Sequence, residues 1–379
     1  MEISKLQKKW LALGVSALGL SGLFTILLVF ARTSTHKYFA EHDLFNASLI
    51  VHVNLGVLVW LLSGFALITK PKKAFPFYIA LAGTILIILS PFIGYGTGYQ
   101  NNYIPIFDNS FFKLGISLFL AAITLVCFER ITSISAIILL AFACFIASYI
   151  GIQNKESSHY LYEYLFWGGG HVLQFAYVQV MVIAWLALSR PHPYPKLLWL
   201  PFVAALLSSV YIYASHKVES AEYINLFTKQ MIYLSAIGVV IVLPFIRTRN
   251  IAVMYSIALF IIGGSLGQMI GDESTTIIPA HYHGSVMAVT ISIMGYAYYA
   301  LNIPPNKWQL GLYFTGQLTH VISMAVMGYH GASRKTPGDM GQNTADLWRH
   351  VMDTGGLLVL IGGIMFVVIA LRNIRKSIT

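Results

Sequence analysis

Apolar stretches long enough to cross a hydrocarbon layer of ~30 Å recur along the whole chain, separated by short polar segments. The pattern predicts about twelve transmembrane helices, at about 10–31, 48–69, 75–97, 111–129, 131–151, 161–188, 197–215, 227–246, 251–270, 277–302, 308–331 and 351–371. No segment between them is long and polar enough to form a separate soluble domain, and no internal repeat is visible. Residues 1–379 therefore read as a single all-α transmembrane domain. The basic stretch Met1 to Trp10 leads into the first apolar run without a small-residue cleavage site, so that run reads as a membrane helix and not a removed signal.

Composition points the same way. Hydrophobic residues make up 57% of the 379 and charged residues 10%, against about 25% charged in an ordinary soluble domain. Lipid must therefore be the solvent for much of this surface. The net charge of +10 is not a nucleic-acid signal in such a chain. Placing alternate loops on alternate sides puts 15 of the 24 basic residues, among them Lys5, Lys70, Lys72, Arg130, Arg247 and Arg375, on one side. By the positive-inside rule both termini are then cytoplasmic. Of the 14 acidic residues only Glu2 and Glu129 fall on that side. The opposite face is relatively acidic, which suits a basic soluble partner; acidic residues that simply follow the longer loops would give the same pattern. Cys127 and Cys144 lie inside apolar helices, and there is neither a C-x-x-C-H haem attachment site nor a thiolate copper motif.

The histidines change the picture. His36, His42, His159, His192 and His350 fall in loops or at helix ends, where a solvated imidazole needs no explanation. His52, His171, His216, His281, His283, His320 and His330 lie within or at the ends of apolar helices. Ionisable groups in a bilayer are expensive and usually face a cavity, a partner or a metal. One of them is commonly an interhelical hydrogen bond, but seven are too many for that reading to cover. Alternation of the helices puts His52, His171, His216, His281 and His283 in the outer half of the membrane. In Ala280-His281-Tyr282-His283-Gly284 the two imidazoles are two residues, or about 200°, apart on a helix, and so face different neighbours. Neutral imidazole is the usual haem ligand: two axial histidines give a low-spin electron-transfer haem, and one leaves a position open for a small molecule.

These motifs, in this order, resemble the catalytic subunit I of the haem–copper oxidase superfamily, and the likeness covers most of the chain. Leu49 to Leu55, with its His-x-Asn at His52 and Asn54, looks like the second-helix motif in the style of cbb3-type oxidases and nitric oxide reductases. Tyr162 to His171 resembles the sixth-helix motif, Pro279 to Gly284 the tenth, and Gly328 to Lys335 the stretch after the eleventh that ends in a basic pair. The resemblance implies a low-spin haem on His52 and His283, a high-spin haem on His281, and haem propionates met by Arg334 and Lys335. It implies a non-haem metal, copper in the oxidases, on His171 and His216.

The departures lie at that metal. The family ends its seventh helix with two consecutive histidines, whereas Ala214-Ser215-His216-Lys217 has one. A third ligand would have to be Gln174, His320 or water, or the metal is absent or different. The residue one turn after His171 is Phe175, so the redox tyrosine of the mitochondrial type is missing. Tyr211 resembles the tyrosine of the cbb3 type, with Tyr213 as the second candidate. After Glu163 the sixth helix carries no carboxylate, which counts against nitric oxide reduction. Thr228, Lys229 and Gln230 are candidates for proton supply by residue type, although a snorkelling lysine accounts for Lys229 equally well. Gly271 to Thr275 could supply polar contacts near the propionates.

The reading that follows is a minimal respiratory terminal oxidase subunit in a bacterial inner membrane, reducing O2 to water. Its electrons come from other oxidase subunits, cytochrome c or quinol. Nitric oxide reductase is the alternative within the class, with NO as substrate. From other classes stand a non-catalytic haem protein, favoured by the missing copper ligand, and a transporter, which would not account for ordered histidine motifs.

Overall fold

The computed structural model describes residues 3–30, 44–94, 96–189, 195–271, 274–334 and 344–376. It is an all-α, multi-pass membrane protein. Among the described residues eleven helices are long and apolar enough to cross a bilayer, against the about twelve expected, and Ile251–Gly267 is a shorter apolar helix. In chain order the helices are α1 (Lys5–Phe30), α2 (Leu44–Val53), α3 (Trp60–Thr69), α4 (Phe75–Ile93), α5 (Ser110–Glu129), α6 (Ser133–Gly151) and α7 (His159–Leu188). There follow α8 (Leu200–Ser215), α9 (Ala221–Leu234), α10 (Ile237–Val242), α11 (Ile251–Gly267), α12 (Ile277–Ala300), α13 (Lys307–Tyr329) and α14 (Thr344–Lys376). A π-helical turn, Asn54–Val59, joins α2 to α3 within one span, directly after His52. Such turns are rare in α-helices and concentrate where a side chain must be re-aimed.

Polar residues set the helix starts. The side chains of Asn109, Thr132, Ser220, Asn250 and Asn306 each accept a backbone N–H from the first turn that follows, which satisfies donors that lipid cannot. The hydropathy pattern carried the third span to residue 97, but α4 stops at Ile93. From Gly94 the backbone is extended, and a short antiparallel hairpin forms between β1 (Gly98–Tyr99) and β2 (Ile106–Phe107). Asn109 fixes that exit: besides capping α5, its Nδ2 donates to the carbonyls of Ser90 and Gly94.

The chain falls into two compact units. One comprises Ser4–Ile183 and His192–Phe245, and so holds α1–α6, most of α7, and α8–α10. The other comprises Ile246–Thr379 with Ala184–Pro191 and Met1–Ile3, and holds α11–α14. Within the second, helices cross at glycine pairs. A Cβ on Gly263 would stand 2.4 Å from the Ser285 nitrogen, and one on Gly316 2.6 Å from the Val359 nitrogen. Close crossings at small residues are how helices gain packing energy in lipid, where no hydrophobic drive pulls them together.

Candidate functional site

In the first unit His52 sits two residues before the π segment, part-buried against α1. Its Nδ1 is 2.9 Å from the Ser21 carbonyl, 3.0 Å from Ser21 Oγ and 2.9 Å from Thr25 Oγ1. The two hydroxyls give their own protons to backbone, Ser21 to the His52 carbonyl and Thr25 to the Ser21 carbonyl. All three oxygens therefore accept from Nδ1–H. This fixes the tautomer and leaves the lone pair on Nε2, the arrangement typical of a metal-ligating histidine.

The second unit repeats the device. His281 Nδ1 lies 2.7 Å from the Gly263 carbonyl of α11, and Gly267, one turn on, lets the ring approach so closely that a Cβ there would stand 2.6 Å from it. His283 turns to another neighbour, its ring 5.2 Å from that of His320 on α13 in an edge-on contact. The two imidazoles thus address different helices, as their 200° separation requires. His320 Nδ1 in turn lies 3.1 Å from the Met352 carbonyl of α14. The loop after α13 is fastened to the segment that opens α12: Thr275 and Ser333 form a β-bridge, and Arg334 donates through its backbone N to the Ser274 carbonyl and through Nε to Ser274 Oγ. The polar segment before α12 therefore does meet the arginine. Lys335 and the acidic pair Asp272 and Glu273 lie outside the described residues, as do His36, His42 and His192.

His171 is held differently. It is 4% exposed and enclosed by the rings of Tyr103, Trp167 and Phe227. Its Nδ1 is 2.7 Å from the Trp167 carbonyl, and the Tyr103 hydroxyl is 2.9 Å from both ring nitrogens. With the Nδ1 proton given to Trp167, the Tyr103 hydroxyl donates to Nε2. Burial, with the nearby Glu163 carboxylate adding to it, pushes the Tyr103 hydroxyl well above the ordinary phenol range, so it stays a neutral donor. Glu163, Trp167 and His171 succeed each other on neighbouring turns of α7. Three glycines make this cage possible. A Cβ on Gly170 would stand 2.2 Å from the Tyr103 ring, one on Gly169 2.3 Å from the Phe145 ring, and one on Gly168 2.6 Å from the Tyr223 hydroxyl.

Tyr103 carried no signal in the sequence. It arrives from the loop between α4 and α5, which is clasped at both ends. Gln100 donates to Asn46, Asn54 Nδ2 donates to the Pro105 carbonyl, and Tyr99 donates to the Ser157 carbonyl. Asn54 of the His-x-Asn motif is thus a fastener for this loop. Only the motif itself pointed to it, and not to this role.

The expected copper set does not assemble. His216 caps α8 and its ring lies against Tyr211, whereas His171 is taken up by Tyr103. Among the described residues no group of three or more His, Cys, Asp or Glu side chains comes together. The donors present do not fit a three-imidazole copper centre. The two tyrosine candidates also separate. Tyr211 is 59% exposed on the lipid side, so the first choice is misplaced for a buried site. Tyr213 is turned inward: its hydroxyl donates to the Cys144 carbonyl and joins Ser148 at 2.8 Å and Tyr223 at 3.3 Å, and its ring packs on Phe227 beside His171. Of the proton-path candidates, Gln230 spends its amide on Ser208, Ser209 and the Ala205 carbonyl, binding α9 to α8, and Thr228 donates to the Ile224 carbonyl.

Geometry and composition define a multi-pass membrane protein with carbonyl-anchored histidines. No family model matches the sequence. The chain is 29% identical to an uncharacterized protein of Rickettsia prowazekii (strain Madrid E), over 97% of this chain and 95% of that one. It is 24% identical to an uncharacterized protein of Aquifex aeolicus (strain VF5), over 75% of this chain and 82% of that one. The likeness to the first runs almost end to end and is not confined to the histidine-bearing spans.

Proposed function

We propose that this chain is the haem-bearing subunit of a bacterial respiratory oxidoreductase of haem–copper type, in the inner membrane, passing electrons from a partner subunit, cytochrome c or quinol to O2. The observation that supports it is the shared anchoring of the imidazoles: Nδ1 of His52, His281 and His320 each reaches a backbone carbonyl of a neighbouring helix. A histidine kept only to glue helices together needs no common tautomer, whereas a ligand needs Nε2 presented with its lone pair. His52, His281 and His283 would hold haem iron, which supplies one-electron chemistry and a position for a small gas. The chain's own residues do the rest. Ser21, Thr25 and the Gly263 carbonyl orient the imidazoles, and Arg334, clamped by Ser274, places a positive charge beside the start of α12 for carboxylates. The reading assigns no step to copper, because His171 and His216 do not make its site.

A second reading, within the same class, takes NO as the substrate. Iron, copper and haem counts on the purified chain, with its visible spectrum, test both readings. Two haems per chain with no stoichiometric copper is the expected result. Non-haem iron beyond the two haems would turn the reading to NO reduction, and a chain without haem would sink it.

A further inference from the structure

Two charged side chains stand on outward faces of membrane spans, one in each compact unit. In the first unit α9 turns Tyr223, Phe227 and Gln230 inward, all buried, while Asn225, Lys229 and Tyr233 are exposed on the other side. Those three follow at intervals of four residues and so share one face. Their depth is set by Gln230, whose amide donates to Ser208 and Ser209 of α8. The span that contains α8, Lys196–Ser215, has 20 residues and just crosses a hydrocarbon layer of ~30 Å. Ser209 is six residues, or about 9 Å, short of its end at Ser215. Lys229 therefore lies well below the headgroups.

In the second unit Asp353 is exposed on α14, on the face that Leu357, Ile361, Ile364 and Val368 continue toward lipid. Its depth is set by His320, whose Nδ1 reaches the carbonyl of the adjacent Met352. His320 is nine residues, or about 13 Å, short of the end of α13 at Tyr329. With α11 counted as a span, α8 and α13 belong to the seventh and eleventh spans, so their last residues lie on one side of the membrane. The ammonium and the carboxylate are then at matched depth, the difference being within the reach of a lysine stem.

Among the described residues neither Lys229 nor Asp353 has a hydrogen-bond or ion-pair partner. Ionisable groups at such depth face a cavity, a partner or a metal. Snorkelling accounts for Lys229 alone, since the one-carbon stem of Asp353 and the amide of Asn225 cannot reach water. A copy of α9 against α9 would set Lys229 on Lys229, and α14 against α14 would set Asp353 on Asp353. Only the unlike pairing removes both charges from lipid.

We propose that a second copy of this chain docks in the membrane with its α14 against this α9, Asp353 of one copy paired with Lys229 of the other. Both helices run inward from the same side, so Tyr233 meets Leu357 one turn below the ion pair. The two faces differ, so each copy offers one of each and the contact repeats until a ring closes. The inference rests on the membrane placement of these spans and not on haem.

The test co-expresses two differently tagged full chains, one with Lys229→Cys and one with Asp353→Cys, and oxidises thiols in the membrane. A disulfide-linked product carrying both tags is expected, and none from either variant co-expressed with the native chain, whose Cys127 and Cys144 are buried. Association of purified chains in vesicles is then read by energy transfer between labelled copies as lipid dilutes them. Lys229→Glu or Asp353→Lys alone should weaken it about tenfold, and the two together should restore it. Restoration separates a broken pair from a damaged helix. Absence of a product with both tags would overturn the proposal, as would a single chain with both cysteines closing the disulfide within itself. A double reversal that associates no better than the single ones would overturn it too.

Discussion

The imidazoles of His171 and His281 sit on apolar helices, and both give the Nδ1 proton to a backbone carbonyl, yet they end in opposite situations. His281 reaches across to α11, with Nε2 left on a part-exposed ring. His171 gives its proton to its own helix at Trp167, receives another from Tyr103, and is sealed by three aromatic rings. On the proposed reading, an anchored imidazole on a part-exposed ring is the one that takes a ligand. One with both nitrogens engaged in a closed cage is part of the wall. Burial alone therefore does not mark a ligand histidine: the direction of the second nitrogen does.

The strongest consequence concerns haem content. On the proposed reading, His52→Ala and His281→Ala should each lower the haem content of the purified protein by about one haem per chain. His171→Ala should leave the haem content unchanged and cost only stability. A pyridine haemochrome assay reads the difference, and a haem lost with His171 would erase the distinction between the two settings.

Next comes the packing that makes the cage. Gly170→Ala drives a methyl group to within 2.2 Å of the Tyr103 ring, a contact that cannot survive without moving the loop. An overpacked core of this kind costs about 1–3 kcal/mol. Gly264, in the last turn of α11, has open space where an alanine methyl would stand, with nothing within 4 Å, so Gly264→Ala should be neutral or mildly stabilising by helix propensity. Thermal unfolding of the two variants beside the native chain checks this. Equal melting points would mean that the loop yields freely and the cage is soft.

How much of this was legible in the sequence depends on what enforces each feature. The bilayer fixes the length of a span, so the existence of most helices could be read from hydropathy, with ends off by up to seven residues at Thr344–Lys376, and the opposed directions of His281 and His283 from the helical period. The end of α4 was misplaced, because the apolar run was carried past Ile93 over Gly94, and the contacts of Asn109 with the Ser90 and Gly94 carbonyls leave no trace in hydropathy. Tyr211 stood before Tyr213 on motif resemblance alone, since lipid and protein interior are equally apolar and hydropathy has no inside. Tyr103 was invisible, because a loop residue reaching His171, 68 positions away, leaves no periodic trace. The surroundings of His171 were hidden for a related reason: a motif names a histidine but not the neighbour that takes up its second nitrogen.

The mildest substitution probes this point most directly. Tyr103→Phe removes a single hydroxyl, so the ring still fills the cage against Trp167 and Gly170 while Nε2 of His171 loses its donor. Leaving a buried acceptor unsatisfied costs about 1–3 kcal/mol, which sets the expected loss in unfolding free energy. The second readout is metal. With the hydroxyl gone, the His171 lone pair faces the space the hydroxyl filled, and a soft divalent ion has one imidazole but no second or third among the described residues. Copper bound per chain after dialysis should therefore remain substoichiometric in both the native protein and the variant. Stoichiometric copper appearing only in Tyr103→Phe would mean that the tyrosine alone keeps the metal out. Stoichiometric copper in the native protein, lost with His171→Ala, would mean that the Tyr103 contact opens for metal and that the sealed histidine belongs with the open ones after all.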